Sequence, residues 1–265
     1  MIITNHTFKV PLDYDNTNGQ TISIFAREIV NESIIDQSPP YLIFFQGGPG
    51  YESPRPITCT GWLKKALESY KVILLDQRGT GLSSPVDIKS LMNMDDEQLA
   101  HYLTFFRADN IIKDAEFIRK ILIKKKRWSL LGQSFGGFCA LHYLSSFPDS
   151  LEKVFITGGI PPLDAHPDDI YRSTFNRVIY KNETFHRLYP QAKKNIKGIV
   201  DYINSNQVSL PNGDRLSIKR LQQLGLNLGF SDGMPTLNYL FERGVIGKHL
   251  SYPFLKSILS MQTFD

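Results

Sequence analysis

The sequence predicts an α/β fold: a mostly parallel sheet with helices on both faces, joined to an all-helical segment. Three observations lead to it. Up to Thr157, apolar runs of strand length alternate with stretches of helical periodicity, the pattern of strands linked by crossover helices. The run Tyr41-Leu42-Ile43-Phe44-Phe45 is continuously apolar, as a strand buried on both faces requires. Beyond Gly158-Gly159-Ile160-Pro161-Pro162 the alternation stops and only helical periodicity remains.

Taken in order, Thr21 to Val30 reads as a strand, Tyr41 to Phe45 as a buried strand and Gly61 to Tyr70 as a helix. Lys71 to Leu75 is the next buried strand. Asp109 to Ile123 is a helix, with Ile111, Ala115, Ile118 and Leu122 on one stripe. Arg127 to Leu131 is a strand and Phe138 to Phe147 a helix stopped by Pro148. Glu152 to Thr157 is a further strand. In the remainder, Ile170, Thr174 and Val178 mark one helical face, Ile196, Ile199, Val200 and Ile203 another, and Leu221, Leu224 and Leu226 a third helix. Residues 1–163 are expected to form the N-terminal part of the α/β core. Residues 164–265 are expected to form a helical cap over the carboxyl edge of the sheet, where such folds bind ligands.

The 265 residues carry a formal charge of +4, too small to favour nucleic acid or an anionic membrane as a partner. Lys124-Lys125-Lys126-Arg127 is the dense basic run, and it sits where a helix ends, complementing the helix dipole. The first residues lack a secretory pattern, and no apolar run approaches a membrane span. Cys59 and Cys139 are far apart and have no metal-ligand partners at useful spacing, so no metal site and a reducing, cytoplasmic setting are expected.

Chemistry concentrates in three stretches. Gly132-Gln133-Ser134-Phe135-Gly136 lies between a strand and a helix, the context of a nucleophile elbow. The turn there is so tight that neighbouring side chains would collide, hence the glycines. It raises the Ser134 hydroxyl clear of the sheet and aims the Phe135 N–H at the place where an oxyanion forms. Gln46-Gly47-Gly48-Pro49-Gly50 follows the strand at Tyr41–Phe45 and can bring backbone N–H groups to a substrate carbonyl. Asp76-Gln77-Arg78-Gly79-Thr80-Gly81-Leu82-Ser83 reads as structural support, with Arg78 tying the loop down through forked hydrogen bonds. It is no phosphate cradle, because no Lys followed by Ser or Thr closes it.

In chain order, Gly47-Gly48-Pro49-Gly50, Asp76-Gln77-Arg78-Gly79-Thr80-Gly81 and Gly132-Gln133-Ser134-Phe135-Gly136-Gly137 together resemble the prolyl aminopeptidases (proline iminopeptidases), serine peptidases with an α/β-hydrolase core and a helical cap. Tyr51-Glu52-Ser53-Pro54-Arg55-Pro56, Phe106-Arg107-Ala108-Asp109, Asp114-Ala115-Glu116 and Leu210-Pro211-Asn212-Gly213 are similar to the longer-chain branch. Many relatives have His where Gln46 stands, and Gln46 agrees with that branch. The resemblance implies release of an N-terminal proline from peptides through an acyl-enzyme on Ser134, with Gly47 and Phe135 N–H groups as the oxyanion hole and no cofactor. An esterase of the same fold, or a non-catalytic remnant that binds a partner, is the alternative.

A serine hydrolase of this kind needs an Asp or Glu and then a His after the serine. His166 and His186 fall in the cap, His249 follows no convincing buried strand, and His142 is on the helix behind Ser134. Asp232 is the one carboxylate worth pairing with His249, and the pair is disfavoured. The chain, ending at Phe264-Asp265, is therefore expected to be truncated, with acid, base and closing strands beyond it. Alone it is expected to be poorly soluble and inactive.

Overall fold

The computed structural model describes residues 1–262; Phe264 and Asp265 lie outside them. The chain divides into two compact units, Met1–Pro162 and a second one starting at Leu163. In the first, the elements are β1 (Ile2–Pro11), β2 (Thr21–Val30), β3 (Tyr41–Phe45), α1 (Gly61–Ala66), β4 (Lys71–Leu75), α2 (Ile88–Leu91), α3 (Asp96–Thr104), α4 (Ala108–Ile123), β5 (Trp128–Gln133), α5 (Phe135–Ser146) and β6 (Leu151–Thr157). The six strands form one sheet in the order β1-β2-β4-β3-β5-β6. The β1/β2 and β2/β4 pairs are antiparallel, and β4/β3, β3/β5 and β5/β6 are parallel.

The two central strands are apolar because both faces are covered. One face of the sheet packs Ile43, Phe45, Ile73 and Leu75 against α4 and α5 through Ile111, Ala115, Ile118, Cys139, Ala140 and Tyr143. The other packs Leu42, Phe44, Val72 and Leu74 against Leu63 and Leu67 around α1. β6 is the outer strand at the end opposite β1, and there Phe155 and the α5 residue Phe138 are each 42% exposed.

A buried polar network joins α4, β5 and α5. Trp128 Nε1–H donates to the Tyr143 hydroxyl at 3.2 Å, which donates to Glu116 Oε2 at 2.9 Å. Arg119 grips the same carboxylate with two hydrogen bonds and caps the end of α4 through the carbonyls of Lys124 and Lys126. Burial acts to raise the Glu116 pKa, but its hydrogen bonds from Arg119, Ser150 and Tyr143 outweigh this and hold it low.

Cys139 lies inside that core, where burial pushes its thiol up to about 12, whereas Cys59 is half-buried. The thiolate is the reactive form. Iodoacetamide is therefore expected to modify Cys59 alone in the native protein and both cysteines after denaturation. Intact mass checks it: double modification of the folded chain would mean that the α5 core opens.

The second unit holds α6 (Pro167–Leu188), α7 (Pro190–Ser205), α8 (Ile218–Gln223), α9 (Gly233–Glu242), β7 (Val245–Ile246), β8 (His249–Leu250) and α10 (Tyr252–Met261). Helical periodicity alone leads to an all-helical expectation, but β7 and β8 form a small hairpin turned at Gly247, whose φ is 61°. The unit has its own core of Phe185, Ile199, Leu221, Leu224, Leu237, Leu240, Phe241 and Phe254, among others. The expected face of Ile170 and Val178 on α6 is not part of that core; these residues are 42% and 46% exposed. No helix among the described residues is long and apolar enough to cross a membrane.

Candidate active site

The parallel register brings the first and third sequence motifs together. Phe45 lies beside Gly132 across the β3/β5 pair, and Gln133 lies beside Thr157 across β5/β6. The loops after β3, β5 and β6 therefore leave the sheet at one level, at its carboxyl edge. Ser134 turns the chain from β5 into α5 with φ 52° and ψ −119°. A side chain in that region is strained, by roughly 1–3 kcal/mol. The turn is locked from both sides: Ser134 N–H donates to the Thr157 carbonyl at 2.9 Å, and Gly137 N–H donates to the Ser134 carbonyl at 2.8 Å.

Backbone crowding explains the glycines. A β-carbon on Gly136 would run into the Phe45 carbonyl, and one on Gly132 into the Gly136 carbonyl. One on Gly159 would meet the carbonyl of Ser134 itself. These contacts let α5 start directly at Phe135, three residues before the Phe138 start expected from periodicity. Gly136-Gly137 reads locally as a break but is tight helix-on-sheet packing.

Gly47 lies against the serine. A β-carbon there would lie 3.0 Å from Ser134 Cβ and 3.6 Å from Ser134 Oγ, so the loop passes directly over the serine. Gly47 is buried, and its N–H donates to no group among the described residues, an uncommon state for a buried backbone donor. Phe135 is the first residue of α5, where N–H groups have no partner in the helix's own ladder. Ser134, Gly47 and Phe135, the three site residues expected from sequence, are thus gathered in one place.

The second motif braces this site. Asp76 is fully buried and accepts from Ser53 N–H at 3.0 Å, from Leu82 N–H at 2.9 Å and from both terminal nitrogens of Arg55. Arg78 binds Asp114 with two hydrogen bonds, at 2.8 and 2.6 Å, and donates to the carbonyls of Pro11, Leu12 and Phe105. The forked tie expected of Arg78 is present. Asp114, read only as part of a family stretch, is its buried partner.

No described side chain is hydrogen-bonded to Ser134 Oγ. His142 is exposed on α5, roughly 12 Å along the axis from Ser134 at about 1.5 Å per residue. His166 accepts from Asp168 N–H at the start of α6, His186 lies in its last turn, and His249 opens β8. Asp232 precedes α9. Among the described residues no cluster of three metal-ligating side chains occurs.

Residues 40–234 match the model of the α/β-hydrolase fold family. The chain belongs to the α/β hydrolases. Within these hydrolases it is 45% identical over 98% of its length to a proline iminopeptidase from Aeromonas sobria, of which it covers 61%. It is 38% identical over 89% of its length to proline iminopeptidase aneH of Aspergillus aculeatus, of which it covers 54%. The resemblance to the prolyl aminopeptidases thus extends along nearly the whole of this hydrolase chain, which itself spans little more than half of those relatives. The solved structure of a proline iminopeptidase-related protein from Thermus thermophilus aligns with a TM-score of 0.38 and 21% identity, over 58% of this chain and 44% of that one.

Proposed function

We propose that this chain carries the nucleophile of a serine aminopeptidase that releases proline from the amino terminus of peptides. The observation that carries the reading is Ser134 held at φ 52° beneath the unpaired N–H of buried Gly47. Ser134 Oγ attacks the carbonyl of the first residue and the peptide C–N bond breaks. The shortened peptide leaves as an amine that takes the serine proton by way of the base, and water then hydrolyses the prolyl ester on Ser134 to free proline. The N–H groups of Gly47 and Phe135 receive the developing negative charge, a contribution of roughly 3 kcal/mol per donor. The identity to the two iminopeptidases supports proline as the released residue.

The described residues place no base beside Ser134. The acid and base of the triad come, on this reading, from polypeptide outside the sequence, and the outer strand β6 with exposed Phe155 is where such a segment would pair. Residues 1–163 act as core and the helices from 164 onward as a cap that admits a free amino terminus.

Two substrates test the proposal, offered to the protein as isolated from its source. Cleavage of a prolyl arylamide that disappears in Ser134→Ala supports it. Turnover of a short-chain acyl ester without the arylamide moves the reading to an esterase. No turnover of either, with Ser134→Ala indistinguishable from wild type, leaves a binding protein on a hydrolase scaffold.

A further inference from the structure

Three polar residues in a row follow β4, and all are buried: Asp76, Gln77 and Arg78 are 0%, 2% and 3% exposed. Burying a polar side chain costs free energy unless its hydrogen bonds are made. Asp76 and Arg78 spend theirs on the loop at Ser53–Arg55 and on Asp114 with three carbonyls. Gln77 does something different. Its Nε2–H donates at 3.0 Å to the backbone carbonyl of Gln46.

That carbonyl belongs to the same peptide unit as the Gly47 N–H. The unit is trans, since the one cis bond among the described residues is Gly48–Pro49. In a planar trans peptide the C=O and N–H point in opposite directions. A hydrogen bond that anchors one therefore aims the other. Anchoring matters here because glycine leaves the backbone many conformations: Gly48 and Gly50 have φ of 119° and 99°, and neither has a side chain to hold it. A donor on the carbonyl also polarises the amide, making its N–H a stronger donor in turn.

We propose that Gln77 is a positioning residue of the oxyanion site, acting through the Gln46–Gly47 peptide. This rests on the reading of Gly47 N–H as an oxyanion donor. Gln77 touches neither substrate nor Ser134. Its effect is on the direction and strength of one N–H, so it belongs to the transition state and not to substrate binding.

The test uses the full chain labelled with 15N-glycine. In Gln77→Leu the Gly47 amide resonance is expected to move, while those of Gly132, Gly136, Gly137 and Gly159 stay in place. In the hydrolytically active protein kcat is expected to fall roughly 10- to 100-fold with KM unchanged. Gln77→Glu keeps the size of the side chain but sets a carboxylate against a carbonyl, and is expected to lose at least as much. It also serves if Gln77→Leu does not fold. An unmoved Gly47 resonance, or movement of all five glycines together, would overturn the inference, as would a rise in KM at constant kcat. The resonance shift needs no turnover, so it distinguishes failure of this inference from failure of the peptidase reading, which Ser134→Ala decides.

Discussion

In the protein as isolated from its source, with the acid and base of the triad supplied, replacing Ser134 with alanine is expected to lower kcat on a prolyl arylamide by about a millionfold, the scale seen when the nucleophile is removed from an assembled triad. The loss should leave KM nearly unchanged, because the hydroxyl contributes to the transition state and little to ground-state binding. Stability should hardly move: alanine retains a β-carbon at φ 52°, so the strain of the turn persists. Glycine at the same position behaves differently. It relieves strain of roughly 1–3 kcal/mol and gives back about 0.5–1 kcal/mol of unfolded-state entropy. Ser134→Gly is thus expected to be as inactive as the alanine variant and about 1 kcal/mol more stable. Urea unfolding checks this, with the midpoint raised and the slope unchanged. A serine whose removal stabilises the fold is present for its chemistry; a fall in stability for Ser134→Gly would show instead that the hydroxyl holds the turn together.

The largest stability effect is expected at Arg78. Its side chain is fully buried against Asp114, itself 1% exposed, and its remaining donors hold three carbonyls from the β1 end and the turn after α3. Arg78→Met removes every one of these bonds and leaves a buried carboxylate with Tyr14 as its remaining hydrogen-bond partner. The expected loss is about 3–5 kcal/mol. The pH dependence has a definite sign. Burial already pushes the Asp114 carboxyl up, against the pull of Arg78 and Tyr14, and without Arg78 it rises further. An acid whose folded pKa is raised costs stability once pH exceeds its unfolded value of about 3.9. The variant should therefore approach wild type in mildly acidic buffer and fall furthest behind at neutral pH and above. The double variant Arg78→Met with Asp114→Leu should recover much of the loss, since a matched apolar pair strands no charge. Additive losses in the double variant would mean that the two side chains act separately, contrary to the shared geometry.

Much of the core was legible in the chain. β2, β3 and β4 have the bounds read for them, β5 starts one residue and ends two residues later than read, and β6 starts one residue earlier. α4 buries the stripe of Ile111, Ala115 and Ile118 that its periodicity marks. β1 was not legible. In Ile2–Pro11 the two leading isoleucines are exposed and four polar residues, Thr4 to Thr7, follow them, and it is a strand because β2 offers ten partners in register. α2 and α3 were missed although each announces itself with a capping box, Asp87 with Ser90 and Asp95 with Gln98. They bury no residue fully, so the apolar pattern that located the other helices is weak there.

At the site, the sequence by itself determined the turn at Ser134 and the glycine loop at Gly47. A serine between glycines at a strand-to-helix turn, and a glycine loop after a buried strand, are local requirements of backbone geometry and so are written locally. The tertiary structure alone decided what those residues meet. Gly47 and Ser134 touch because β3 and β5 are neighbours with Phe45 beside Gly132, although β4 lies between them in the chain. Gln77 reaches Gln46 across 31 positions, and Arg78 reaches Asp114 across 36. Hydrogen-bond partners at such separations are set by strand order and register, which only the packed sheet defines.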